Sequence, residues 1–198
     1  VSGIEKCNLS VHCHNDLGMA TSNTLQAVVA GANQVECTIN GIGERAGNTP
    51  LEEVVMAIET RKDFYKKKTN IKKNLLKKTS ELVSKLSSFN VCKNKPIVGE
   101  NAFAHESGIH QHGVINKRET YEIMDPKKIG HKTQINIGAQ SGLKGIKFKL
   151  KQYNLDYKKI DLKEFIKYFK SKVKNLKIVD KSLLIKLHSD FIKISEKN

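Results

Sequence analysis

The chain contains no apolar run approaching the roughly 20 residues that a membrane-spanning helix requires. It also lacks the succession of charged, apolar and small residues that marks a signal peptide. A soluble chain of cytoplasmic location, with no membrane partner, is the expectation. Cysteine is sparse: Cys7, Cys13, Cys37 and Cys92 show no Cys-x-x-Cys spacing, which points to reduced, buried thiols. Arginine is sparser, with only Arg45, Arg61 and Arg118 in the whole chain. Without an Arg-rich recognition helix or an aromatic stacking platform, nucleic acid is not an expected partner, despite a formal net charge of +15. The distribution of that charge supports the exclusion. Residues 1 to 60 hold two basic side chains against seven acidic ones, so the excess lies in residues 61 to 198, mostly as Lys scattered over helical faces. Neither an internal repeat nor a phosphate-loop pattern is present.

At 198 residues the chain is long enough for one good core or two small ones. It opens on Val1, already close to a strand, and the expectation is that it continues a longer protein.

The most informative stretch is Val11-His12-Cys13-His14-Asn15-Asp16. Residues from Asn8 to Val11 are extended in character, and side chains alternate along a strand, so His12 and His14 leave one face while Cys13 leaves the other. Asn15 and Asp16 offer helix-capping chemistry for a helix from Gly18 to about Ala30, with Gly31 as its stop. Ligands would then sit at the C-terminal end of a strand, where parallel sheets and barrels keep their active sites. A second strand is expected over residues 34 to 40, with Val35, Cys37 and Ile39 on one face and a parallel crossover from the first strand. The Gly-rich loop Gly41 to Asn48 follows, then a helix start read as Thr49 at the N-cap, Pro50 at the first helical position and Glu52 closing a capping box. Leu51, Val54, Val55 and Ile58 form its buried stripe. Two strands cannot bury both faces of a sheet, which again suggests an upstream portion.

From Lys62 the composition turns Lys-rich. A helix is expected with Leu75, Leu82, Val83 and Leu86 as its apolar stripe, broken by Pro96. The stretch from Gly99 to Gly113 then brings His105, His110 and His112 together among small residues and reads as a second functional loop. A further Gly-rich turn covers Gly138 to Gly145. From about Ile160 two amphipathic helices are expected, one on Leu162, Phe165, Ile166, Phe169, Val173 and Leu176, the other on Leu184, Leu187, Phe191 and Ile194. His188 falls on the second stripe and reads as a satisfied core-edge histidine.

Taken together, HCHNDLG at residues 12 to 18, GIGERAGN at 41 to 48, GENAFAHESGIHQ at 99 to 111 and YEIMDP at 121 to 126 closely resemble the 2-isopropylmalate synthase and homocitrate synthase family. The motifs fall in family order between residue 5 and about residue 148. The resemblance implies an α/β fold: residues 1–65 as the last two βα units of a (β/α)8 TIM barrel, residues 66–125 as a linker subdomain carrying the His and Tyr positions, and residues 126–198 as a helical subdomain. It implies an acyltransferase that condenses acetyl-CoA with a 2-oxo acid, 2-oxoisovalerate in the isopropylmalate branch that opens leucine biosynthesis. Homocitrate or citramalate synthase is the alternative within the class, and a non-catalytic remnant the alternative outside it. A divalent metal, Mn2+ or Mg2+ with Zn2+ or Co2+ as further candidates, would be held by His12, His14 and Asn48. An Asp from an Arg-Asp-Gly motif, absent from this chain, would complete the set. His110 and Tyr121 match the family positions that reach into the partner's active site of a homodimer. The one departure is His112, where a carboxylate is usual. The isolated chain is expected to be inactive.

Overall fold

Val11 and Val35 face each other across a parallel strand pair, and this pairing organises the first part of the molecule. In the computed structural model, which describes residues 1–176 and 179–196, β1 (Ser10–His12) runs beside β2 (Gln34–Glu36) with Ser10 opposite Gln34 and His12 opposite Glu36. Helix α1 (Ala20–Val29) connects them, giving the expected βαβ order. Gly18 turns the chain into α1 with a φ of 72°, and Gly31 ends it with a φ of 119°, both in the left-handed region that favours glycine. Asn15 Oδ1 accepts the Ala20 N–H, so the expected capping chemistry is met by Asn15, while Asp16 turns to Arg45.

The second strand is shorter than expected. Ile39 opens a 3-10 turn, Ile39–Gly41, because Asn40 takes a left-handed φ of 62° that no extended strand accommodates. Helix α2 (Leu51–Thr60) starts one residue later than the capping-box reading, with Pro50 at the N-cap and no side-chain cap. The reason is competition for the polar groups. The Thr49 hydroxyl is taken by Thr24 Oγ1 at 2.8 Å and by the Cys13 carbonyl, and the Glu52 carboxylate accepts the Asn40 N–H at 3.1 Å instead of Thr49's. Val54, Val55, Met56 and Ile58 are buried and Leu51 is half-buried, so Met56 joins the expected stripe.

A short helical turn, α3 (Lys62–Tyr65), leads to α4 (Leu76–Ser87). Here the expected face is wrong. Leu75, Leu82 and Leu86 are exposed and Val83 only half-buried, whereas Leu76 and Ser80 are buried. Ser80 takes the inner position because its hydroxyl and carbonyl both bond the Asn40 side chain, a pairing invisible to a search for apolar periodicity.

The chain divides into two compact units. Residues 1–102 and 124–132 form the first, and residues 103–123 and 133–198 the second. The returning segment of the first unit, a 3-10 turn over Pro126–Ile129, buries Ile129 completely, and the neighbouring His131 Nε2 lies 3.0 Å from the Gly99 carbonyl oxygen.

In the second unit β3 (Ala104–His105) pairs in parallel with β4 (Gln134–Ile135), and α5 (Gly108–Asn116) follows β3. The stretch expected to be a functional loop is therefore a strand and a helix, with His110 and His112 on α5. Helix α6 (Leu143–Gln152) lies outside the expected elements; its Lys residues and Gly145 hide a buried edge of Ile146 and Leu150. Gly145 is needed where it stands, since a Cβ there would collide with the buried Gln111 side chain, whose amide donates to the Asn136 carbonyl at 2.6 Å. Helices α7 (Leu162–Val173) and α8 (Lys181–Ser195) match the two expected amphipathic helices, each capped by an aspartate, Asp161 and Asp180. Phe165, Phe169, Val173, Leu184, Leu187 and Phe191 close their core, and Leu176 and Ile194 stay exposed. His188 is buried with its Nε2 3.2 Å from the Asp156 carbonyl oxygen, as a core-edge histidine should be.

The cysteines differ from expectation. All four are free, but Cys7 and Cys92 are exposed and Cys13 and Cys37 only half-buried. No helix among the described residues is long and apolar enough to cross a membrane.

Candidate functional site

The His-x-His spacing does what strand alternation requires. From Val11 to Asn15 the side chains alternate between half-buried and exposed, with His12 and His14 on the exposed side, and their Nε2 atoms lie 3.3 Å apart. The rings meet edge to face at a centroid separation of 4.9 Å. One histidine is held from behind. His12 Nδ1 lies 3.1 Å from Glu36 Oε2, and the other Glu36 oxygen accepts the Ser10 hydroxyl at 3.0 Å.

The Gly-rich loop brings Asn48 against the strand exit. Residues His14 and Asn48 form an isolated antiparallel bridge, and the loop is tied to the strand exit by Asn15 N–H donating to the Gly47 carbonyl at 2.8 Å. The Asn48 amide NH2 points to the Ile42 carbonyl, and its Oδ1 is buried without a hydrogen-bond partner. A buried carbonyl oxygen without a partner is a costly arrangement unless something engages its lone pairs. Two imidazole nitrogens and one amide oxygen form a donor set suited to a borderline divalent cation. The fit is local and incomplete: among the described residues, no group of three or more His, Cys, Asp and Glu side chains could hold a metal ion.

The loop conformation depends on small residues at defined points. Gly47 has a φ of 93°, and a Cβ on Gly43 would approach the Asn48 Cγ to 2.7 Å. Arg45 closes the loop onto the strand exit, its Nε 2.7 Å from Asp16 Oδ1 and its Nη2 3.1 Å from Oδ2. The guanidinium hydrogen bond holds the Asp16 carboxyl below the ordinary carboxylate range. Behind the loop, burial pushes the Glu52 carboxyl up, against the opposing pull of its own backbone hydrogen bond and of Lys95, whose Nζ lies 3.5 Å from Oε1. A cleft lined by Asn15, Arg45, Asn48, Glu53, Lys95 and Pro96 adjoins the loop.

In the second unit His110 and Tyr121 come together, with ring centroids 4.3 Å apart and planes inclined by 34°. Both are exposed. His105 is buried, its Nε2 3.1 Å from Glu122 Oε1, and the other oxygen of Glu122 accepts the Thr133 hydroxyl at 2.9 Å. His112 lies apart from this pair, its Nε2 3.1 Å from Lys144 Nζ. Glu36 and Glu122 escaped the sequence reading. Glu36 had a signal, since a parallel partner of β1 must place one residue directly beside His12, and the register makes that residue Glu36.

Residues 1–83 match the family model described as HMGL-like, and residues 97–177 match the one described as homocitrate synthase post-HMGL domain-like. Relatives named 2-isopropylmalate synthase are similar over most of the chain. The one from Rhodopirellula baltica is 53% identical over 171 residues, covering 86% of this chain and 32% of that protein. The one from Aquifex aeolicus is 48% identical over 199 residues, covering 99% of this chain and 38% of that protein. The chain belongs to the 2-isopropylmalate synthase and homocitrate synthase family. It spans about a third of the length of these curated relatives. Both family models reach the sites above: the first contains His12, His14 and Asn48, and the second contains His110 and Tyr121.

Proposed function

We propose that this chain forms part of a 2-isopropylmalate synthase, in which acetyl-CoA and 2-oxoisovalerate condense to 2-isopropylmalate. Residues 1–65 would be the last two βα units of its barrel, residues 66–125 a linker subdomain and residues 126–198 a helical subdomain. The observation that carries the reading is the approach of His12 Nε2 and His14 Nε2 to 3.3 Å, with His14 bridged through its backbone to Asn48, whose side-chain oxygen is buried and unpartnered. These three residues would hold a divalent cation, Mn2+ or Mg2+ by preference, together with an Asp from elsewhere in the protein. When bound, the cation supplies Lewis acidity toward the carbonyl and carboxylate of a 2-oxo acid.

The chain's own residues account for the remaining steps. His110 takes the proton from the acetyl methyl carbon, directly or through a carboxylate base that it supports. The resulting carbon nucleophile bonds to the 2-oxo carbon, and water then cleaves the thioester, releasing free CoA thiol. Tyr121, stacked on His110, donates to the oxyanion that develops during attack or orients the water. Exposure of both rings suits a role across a homodimer boundary, where one protomer's pair would meet its partner's metal ligands.

A thiol-release assay on the complete protein with acetyl-CoA tests the reading. Turnover with 2-oxoisovalerate well above that with 2-oxoglutarate or pyruvate is expected. A reversed preference would assign homocitrate or citramalate synthesis instead, and no turnover with any of the three would overturn the enzymatic reading.

A further inference from the structure

Glu36 lies outside the ligand set and outside the expected catalytic pair, yet it is built into the same face. In the parallel register His12 stands directly opposite Glu36, so both side chains leave the sheet on one side. Glu36 Oε2 lies 3.1 Å from His12 Nδ1, and Ser10 Oγ donates to Oε1 at 3.0 Å. Ser10 stands two residues before His12 on the same strand face, so strand, carboxylate and imidazole form a closed set of contacts. We infer that Glu36 is a positioning residue for the proposed metal site, holding His12 with its proton on Nδ1 so that the Nε2 lone pair faces the point shared with His14.

For a neutral His12 ring the chemistry leaves one consistent assignment. An ionised carboxylate only accepts hydrogen bonds, so a contact at this distance requires His12 Nδ1 to carry hydrogen. A neutral imidazole has one N–H, and Nε2 is then the unprotonated nitrogen. That is the nitrogen nearest His14 Nε2. A free imidazole in water is under no such constraint and turns about two side-chain torsions. Glu36 restricts both freedoms, and Ser10 in turn limits those of Glu36. Carboxylate partners of metal-bound histidines act in this way generally, and their loss costs about 10- to 100-fold in metal affinity. The contact is half-exposed in this chain, 44% for the His12 side chain and 53% for Glu36, which favours the lower part of that range.

The inference rests on the metal-site reading, and the experiment separates the two. Mn2+ affinity is measured by calorimetric titration on the complete protein, alongside 15N spectra of the metal-free, histidine-labelled protein that report the tautomer of each ring. His12→Ala is the control for the site; an unchanged affinity there would defeat the metal-site reading itself. With that control behaving, Glu36→Ala should weaken Mn2+ binding about 10-fold and move the His12 proton toward Nε2. Glu36→Gln, which keeps an acceptor oxygen but no charge, should keep the Nδ1–H form and lose less affinity. Wild-type affinity in Glu36→Ala, or weakened binding with the His12 tautomer unchanged, would overturn the assignment. Should Glu36→Ala not fold, Glu36→Gln decides alone, and wild-type affinity there would also overturn it.

Discussion

His110 and Tyr121 stack at 4.3 Å because Gly113, on the next turn of α5, leaves room for the phenol ring. A Cβ at Gly113 would stand 2.7 Å from Tyr121 Cδ2. Gly113→Ala should therefore push the ring aside and lower kcat by roughly 10- to 100-fold, short of the full loss of an acid or base group. Mn2+ affinity should not change, because the proposed metal ligands belong to a different motif. Steady-state kinetics together with a metal titration checks this, and equal loss of both properties would show that the substitution acts by general unfolding.

Substitution of His12 or His14 by Ala should abolish metal binding in the complete protein, since each removes a proposed ligand outright. Asn48→Ala should weaken it less, because an amide oxygen is the poorer ligand for a borderline cation. Gly43→Ala should resemble Asn48→Ala, as the added methyl meets the Asn48 amide at 2.7 Å. Metal analysis after dialysis decides the order. Full occupancy in the two histidine variants would remove the site.

Glu52 gives a pH test that needs no metal. Its carboxyl is raised above the ordinary value of 4.5 by burial, so the folded state keeps its proton to higher pH than the unfolded chain does. That contribution to stability is present at low pH and is lost as pH rises from about 4.5 through the raised folded value. Relative to wild type, Glu52→Gln should gain stability across that window and hold the gain above it. Urea unfolding of both proteins between pH 4 and 8 gives the difference directly, and a pH-independent difference would show that Glu52 does not titrate this way.

Shared sites predict complementation. Mixed subunits of His14→Ala and His110→Ala should regain activity through heterodimers that carry about one intact site each. No recovery after confirmed subunit exchange would place both residues' work within a single protomer.

How much of this was readable depended on which physical rule governed each position. Strand alternation brought His12 and His14 together without any knowledge of the fold, and apolar periodicity located α7 and α8 down to their buried phenylalanines. Asn48 came through the family resemblance, since nothing in a lone asparagine after a glycine loop announces a buried, unpartnered oxygen. Two of the failures share a cause: a polar contact distant in sequence overrode a local pattern. Ser80 displaced leucines from the inner face of α4 because Asn40, 40 residues earlier in sequence, needed its partners. Thr49 lost its capping role to Thr24 and the Cys13 carbonyl, and the start of α2 moved with it. Helix α6 was hidden by lysines that point outward from a narrow apolar edge.

The order of residues along the chain and their partition between the two units do not agree, because residues 124–132 return to the first unit after the second has begun. Neither unit can then be excised as one uninterrupted gene segment. Ending an expression clone after Ala102 would strip the first unit of Ile129, a fully buried side chain, and of the His131 contact with Gly99. Dissection of this region calls for a linker replacing residues 103–123, with the return segment kept in place, and not for a simple truncation.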